Sequence, residues 1–298
     1  MFVLTSYLDA KRQLINAHLD KCLKANPDSG RLIEAMRYSL MAGGKRLRPI
    51  LCMAGAEAVG GRAEDALPAA SALEIIHTYS LIHDDLPAMD DDDLRRGGPT
   101  SHVQFDEATA ILAGDALLTM AFQILSDAEF IKTDGRHAAR WLKVIQRISR
   151  AAGCRGMVEG QMRDIAAENN SLSQPELEEL HALKTGALIE AAVYSGAVLG
   201  DGNLEQIGHL GTYAGCIGLA FQVKDDILNV EGDSALLGKE VGTDERRQKS
   251  TYPSIMGLEE SKTLARELID KALQELASFD HRSDPLRAIA KYIIERKR

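Results

Sequence analysis

The sequence predicts an all-α protein, one large helical bundle around a central cavity. Three observations carry the prediction. Ala, Leu and Glu dominate, and apolar residues recur at three- and four-residue spacings almost throughout. Alternating β-branched runs of the strand type are hard to find. The 298 residues would accommodate two domains of about 150 residues each, yet no Pro/Ser-rich linker and no short repeat divides them. One domain spanning 1–298 is the expectation.

The elements follow in order. A first helical segment covers roughly residues 5–24 and stops at Asn26-Pro27, because proline disfavours helix at the residue before it. Segments at 31–58 and 63–86 are separated by Gly60-Gly61. A charged loop, 89–102, contains Gly97-Gly98-Pro99 and leads into a helix at 104–128. Thr133-Asp134-Gly135 separates that helix from one at 136–152. Residues 174–199 show the clearest pattern: Ser173 is placed as an N-cap, Pro175 lies in the first turn, and Leu177, Leu180, Leu183, Ala187 and Ala191 form one stripe. Helices at 203–230, 259–278 and 284–296 complete the bundle, with a second charged loop at 231–253. Charged loops of this length inside a compact domain are more often functional than not.

Composition narrows the function. The chain has 35 Lys+Arg against 44 Asp+Glu, a net charge of −9, and a pI near 5.4. A general nucleic-acid or anionic-membrane binder needs basic surface, so both are excluded, whereas a phosphate ligand needs only a few local cations. No run of about 18 apolar residues argues for a membrane span, and MFVLTSYLDAKRQL lacks the pattern of a signal peptide. Cys22, Cys52, Cys154 and Cys216 lie far apart without a C-x-x-C pair, which reads as small buried thiols in a reducing compartment, the cytoplasm.

The chemistry-bearing residues fall into three groups. In LIHDDLPAMDDDDLRRGG, six aspartates (Asp84, Asp85, Asp90, Asp91, Asp92, Asp93) occupy ten positions. They repel one another and call for a compensating cation. Oxygen donors without a His/Cys pattern suit a hard ion such as Mg²⁺ that shares its coordination with a substrate phosphate. Pro87 forces a bulge that returns Asp90 toward Asp84. In FQVKDDILNVEGD, Asp225 and Asn229 share a helical face, with Asp226 beside them and Asp233 beyond. The cations are Lys45 and Arg48 in GGKRLRP, Arg95-Arg96, Lys184 next to Thr185 in an otherwise apolar helix, and Lys239 and Lys249 in the second loop. Two acidic clusters and embedded cations together describe a phosphate–metal site.

At these residues the sequence resembles the trans-prenyltransferases, specifically bacterial short-chain synthases of the farnesyl diphosphate synthase type. GGKRLRP, LIHDDLPAMDDDDLRRGGPTSH, ILAGDALL, GQMRD, KTG, FQVKDDIL and GKEVGTDERRQKSTYP occur in the family's order over essentially the whole chain. The resemblance implies the following roles. Asp84 and Asp90, with Asp85 supporting, hold two Mg²⁺ ions and Asp225 a third. Arg95, Lys184, Thr185, Gln222, Lys239 and Lys249 clamp the allylic diphosphate. Gly44, Lys45, Arg48, His77 and Arg96 bind isopentenyl diphosphate, and Gln161 and Asp164 form a supporting polar pair. It also implies a homodimer. Asn229 stands where the family usually carries a third aspartate; it keeps a carbonyl oxygen and loses a charge. Lys224 stands where Gln is common.

The implied reaction is ionisation of an allylic C–O bond, head-to-tail attack by the isopentenyl double bond, and loss of a proton. Tyr79 and Ser80 lie five and four residues before Asp84, about 6–7.5 Å along a helix. An aromatic there resembles the pattern of C15 (farnesyl) synthesis, with C10 or C20 products as alternatives. Two other readings remain: a class I terpene cyclase, which leaves GGKRLRP and Arg95-Arg96 unexplained, and a catalytically silent subunit of a heteromeric synthase, which only Asn229 favours.

Overall fold

The computed structural model describes residues 2–24, 30–127, 131, 135–168, 170–231 and 250–296. Its helices are α1 (Leu4–Lys24), α2 (Arg31–Met41), α3 (Leu47–Ala58), α4 (Ala63–Asp84), α5 (Ser101–Gln104), α6 (Glu107–Leu125) and α7 (Gly135–Ala152). They continue as α8 (Met157–Ala166), α9 (Gln174–His181), α10 (Ala187–Leu199), α11 (Leu204–Glu231), α12 (Tyr252–Met256), α13 (Leu258–Glu275) and α14 (Asp284–Glu295). The all-α expectation holds.

Burial sorts the helices into layers. α4 packs against α3, α6 and α10, and α11 packs against α10 and α13. Ala66, Ala69, Ala70, Ala72, Leu73, Ile75 and Ile76 of α4 are fully enclosed. A helix surrounded by others has little solvent face to keep polar, which is why α4 is mostly apolar on every side through its middle, the buried Glu74 excepted. The outer helix α7 buries only the stripe Trp141, Val144, Ile148 and Ala151–Ala152. A smaller apolar cluster of Leu177, Val223, Ile227, Tyr252 and Ala265 ties α9, α11, α12 and α13 together.

Several local departures from the expected elements lie near the charged residues. The segment expected as one helix over 31–58 breaks at Gly43-Gly44, whose φ angles of 86° and 124° no helix accommodates; Arg46 follows at φ 52°. The helix expected at 104–128 is interrupted by Asp106, whose carboxylate caps α6 by accepting from the Thr109 amide at 2.7 Å. Inside 174–199, residues Ala182–Gly186 form a π-helical turn. The 89–102 loop carries a hairpin, β1 (Leu94–Arg95) and β2 (Gly98–Pro99), antiparallel with Arg95 opposite Gly98. Its central residues Arg96 and Gly97 both have positive φ, 54° and 84°, the geometry of a two-residue type I′ turn. Helix α8 lies where no helix was expected.

One further expectation, that all the thiols are buried, needs correction. Of the four thiols, Cys52 and Cys216 are buried, Cys22 is half-buried and Cys154 is exposed; all are free. Among the described residues, two helical stretches, Glu107–Leu125 (mean hydropathy 1.6) and Gln174–Leu199 (1.2), are long and apolar enough by composition to cross a membrane. The second is a core segment, 67% buried, whereas the first is only 44% buried.

Candidate active site

Asp84 ends α4, and the chain then turns back on itself. The Asp90 amide donates to the Asp84 carbonyl at 2.8 Å, and the Asp91 amide to the Leu86 carbonyl at 3.1 Å. This is the bulge expected from Pro87, and it sets Asp90 beside Asp84. Burial pushes the Asp84 carboxyl up to about 6; Asp90 and Asp85 push the same way, while Lys184 and Arg95 oppose them. Asp85, buried at 3% exposure, faces the hairpin: both of its oxygens accept from Arg95 Nε, at 2.7 and 2.8 Å, and Arg95 Nη2 closes a third contact at 2.5 Å. Burial still raises its pKa against that arginine.

Lys184 sits in the π-helical turn and donates to Asp164 of α8 at 2.8 Å. Such turns recur at functional sites because they aim a side chain out of helical register. Gly160 makes the approach possible: a Cβ there would lie 2.3 Å from the Lys184 amide nitrogen. One turn before Asp164, both side-chain polar atoms of Gln161 are buried without a hydrogen-bond partner. Buried amides are seldom left so; a water, an ion or a ligand group is what such atoms take as partner.

α11 supplies the second acidic group. Asp225 accepts from Arg296 Nη2 at 2.6 Å. Asp226 is buried and accepts from the Tyr252 amide at 2.9 Å. Gln222 Nε2 and His181 Nδ1 are 3.2 Å apart. Asn229 is half-buried on the same helix, and burial lowers the Lys224 pKa, with Arg296 and Lys262 assisting. Lys239, Lys249 and Asp233 lie outside the described residues.

All five residues expected at a cationic site line one cavity of about 620 Å³: Gly44, Lys45, Arg48, His77 and Arg96, with Thr185 also in its wall. Arg96 donates to the Gly43 carbonyl. Lys45 and Arg296 lie over the Phe221 ring, 6.0 and 4.1 Å from its centroid. His77 is held well below its ordinary value by burial and by Arg48, Arg96, Arg95 and Arg46, so its imidazole is neutral at physiological pH. Tyr79 is buried and edge-on to His83, with centroids 5.8 Å apart. Ser80 Oγ donates to the His77 carbonyl at 2.9 Å.

Sequence reasoning missed several residues here. Arg46, passed over between Lys45 and Arg48, is almost wholly buried, pairs with Glu74 at 2.8 Å, and donates to the Leu40 carbonyl at 2.6 Å. Arg12 of α1 and Arg296 beyond α14 also line the cavity. The unbroken KR-x-R run was a signal for Arg46; Arg296 reads in sequence as an ordinary basic terminus.

Among the described residues, no three His, Cys, Asp or Glu side chains converge tightly enough to hold an ion unaided. The helical bundle, two carboxylate-bearing helices and an adjoining cationic cavity are features of prenyl synthases as a class. The polyprenyl synthetase family model matches residues 30–289, and the chain belongs to that family. It is 46% identical to a farnesyl diphosphate synthase of Micrococcus luteus over 297 residues, 99% of this chain and 100% of that one. It is 47% identical to the large subunit 1 of a heterodimeric geranylgeranyl pyrophosphate synthase of Arabidopsis thaliana, covering 99% of this chain and 80% of the other. Among solved structures, an FPP/GFPP synthase from Zymomonas mobilis superposes with a TM-score of 0.86 at 40% identity, covering 98% of each chain.

Proposed function

We propose that the chain, acting as one catalytic unit, condenses isopentenyl diphosphate head-to-tail with dimethylallyl or geranyl diphosphate and releases farnesyl diphosphate. The observation that supports this reading best is the pairing of two unlike sites: a cavity walled by Lys45, Arg48 and Arg96, and an acidic turn where burial, with Asp90 and Asp85 adding to it, lifts Asp84 to about 6.

The donor set fits Mg²⁺. Asp84, Asp90 and Asp225 offer oxygen ligands only, and buried like charges need a cation. Among the described residues no three groups close a cage on their own, which suits an ion that completes its shell with diphosphate oxygens. Asp84 and Asp90 would hold two ions and Asp225 a third, and the bound ions would supply charge neutralisation on the departing diphosphate. Asp85 serves by holding Arg95 rather than by facing the cavity.

The chain's own residues do the rest. Lys45, Arg48 and Arg96, with neutral His77, seat the isopentenyl diphosphate by charge-assisted hydrogen bonds. Arg95, Lys184, Gln222, Lys239 and Lys249 orient the allylic diphosphate; Asp164 fixes Lys184. When the allylic C–O bond breaks, its electron pair leaves with the diphosphate. The isopentenyl double bond then forms the new C–C bond, and a proton leaves the adjacent carbon for the released diphosphate. The Thr185 hydroxyl and the carbonyls of the π turn present dipoles to the developing cation.

Tyr79 forms the floor that stops the growing chain. A second copy of the chain covers the apolar face of α6, where Ile111 and Leu112 are exposed. The free thiols support a reducing compartment such as the cytoplasm. The test is incubation with isopentenyl and geranyl diphosphates, with Mg²⁺ or with EDTA, followed by separation of the dephosphorylated alcohols. Farnesol formed only with Mg²⁺, and longer alcohols from Y79A, are expected. Geranylgeraniol from the wild type would overturn the C15 assignment, and no elongation would overturn the reading as a whole.

A further inference from the structure

His181 is the last residue of α9, directly before the π-helical turn that carries Lys184. Its ring Nδ1 lies 3.2 Å from Gln222 Nε2 on α11. Its face stacks on Tyr252 of α12, with centroids 5.8 Å apart and planes 23° from parallel. Its Nε2 is 3.9 Å from Asp226 Oδ2. That oxygen in turn accepts from the Tyr252 amide at 2.9 Å.

These contacts close a loop. Gln222 and Asp226 are four apart, one above the other on α11, and Tyr252 spans back from Asp226 to His181. Three elements that meet nowhere in sequence are thus joined by one imidazole: the turn bearing Lys184, the helix bearing Asp225, and the start of α12. The interactions are short-ranged and largely buried, with Tyr252 at 0% and Asp226 at 7% exposure. A change at His181 therefore reaches Lys184 and Gln222 directly, and in the cationic cavity it reaches the wall residue Thr185 of the same turn but not Lys45, Arg48 or Arg96.

We propose that His181 is a positioning residue that sets the π-helical turn against α11, and so aligns Lys184 and Gln222 on the allylic diphosphate. The role rests on the prenyl-transfer reading, and it is specific to one of the two diphosphate sites. An apolar packing residue would serve stability alike, without regard to which substrate binds. The hydrogen-bonding edge and the stacking face can be separated by substitution. H181N keeps an acceptor where Nδ1 stands, whereas H181F keeps the stack and removes the acceptor.

The test uses full-length wild type, H181N and H181F. Calorimetric titration with geranyl S-thiolodiphosphate plus Mg²⁺, an unreactive allylic analogue, is compared with titration by isopentenyl diphosphate. Residues that orient ligand-binding groups typically cost roughly 10- to 100-fold when removed. H181F is expected to weaken the analogue by at least tenfold with isopentenyl diphosphate within about twofold of wild type; H181N should bind the analogue within about threefold of wild type. Hydrogen exchange of residues 180–188 in substrate-free protein should be faster in H181F and near wild type in H181N. Equal weakening of both ligands, unchanged exchange, or H181N behaving as H181F would overturn the proposal. Failure of wild type to bind the analogue would sink the function reading, and the exchange comparison would still decide the role of His181.

Discussion

At Asp84 the fold holds a carboxyl group away from water beside two more acids, and its pKa rises to about 6. Because the folded value lies above the unfolded one, the protonated form favours the fold. That contribution is full below about pH 4, the ordinary carboxylate value, and is lost as pH rises through about 6. In metal-free protein, therefore, D84N should be more stable than wild type at pH 7.5, by up to roughly 3 kcal/mol, and the gain should shrink toward pH 4. Denaturant unfolding at the two pH values measures it; a D84N variant no more stable at pH 7.5 would contradict the electrostatic account. The acids and Lys45, Arg48, Arg95, Arg96 and Lys184 were legible in the sequence because their types clash with their apolar or glycine-rich surroundings. Their partners were not. Asp85 finds Arg95 on the hairpin ten residues on, Arg46 finds Glu74 on another helix, and Arg296 finds Asp225 from 71 residues away. Such pairings depend on packing, which residue spacing does not encode.

At the scale of elements, most helices were legible from their apolar spacing, and most of their ends from glycine and proline. Helix α8 escaped because it is short and carries Gly160 in its middle, a residue that normally weakens a helix. The structure supplies the reason for that glycine: the backbone of Lys184 occupies the space a side chain would take. The π-helical turn escaped because its residues fit an ordinary helix equally well; tertiary contact imposes the extra residue. G160A should therefore displace the turn, lowering kcat/KM for the allylic substrate at least tenfold together with stability. The paired variant G208A, with nothing within 4 Å of the new Cβ, should be stabilised by about 1 kcal/mol, the helix-propensity difference. Steady-state kinetics and thermal melts of both variants check this, and a G160A enzyme with wild-type kinetics would refute the role of the close approach.

At the scale of the molecule, α6 is strongly apolar yet less than half buried. Ile111 and Leu112 stand 43% and 58% exposed on it. Contiguous exposed apolar surface rimmed by polar residues marks an interaction site. If the proposed second copy sits here, light scattering gives a dimer mass for the wild type and a monomer mass for I111E with L112E; a wild-type monomer or an unchanged mass in the variant would contradict the proposed interface. On the proposed reading the molecule carries two chemically different diphosphate sites, one walled by the cations of the cavity that Lys45, Arg48 and Arg96 line and one built on the carboxylates of α4 and α11. On that reading the first binds its diphosphate without a metal and the second binds through one. Calorimetric titration of isopentenyl diphosphate and of geranyl diphosphate, each with Mg²⁺ and with EDTA, tests that distinction most directly. The account predicts that isopentenyl diphosphate binds in EDTA and that geranyl diphosphate binds only with Mg²⁺. Geranyl diphosphate binding equally well in EDTA would contradict it.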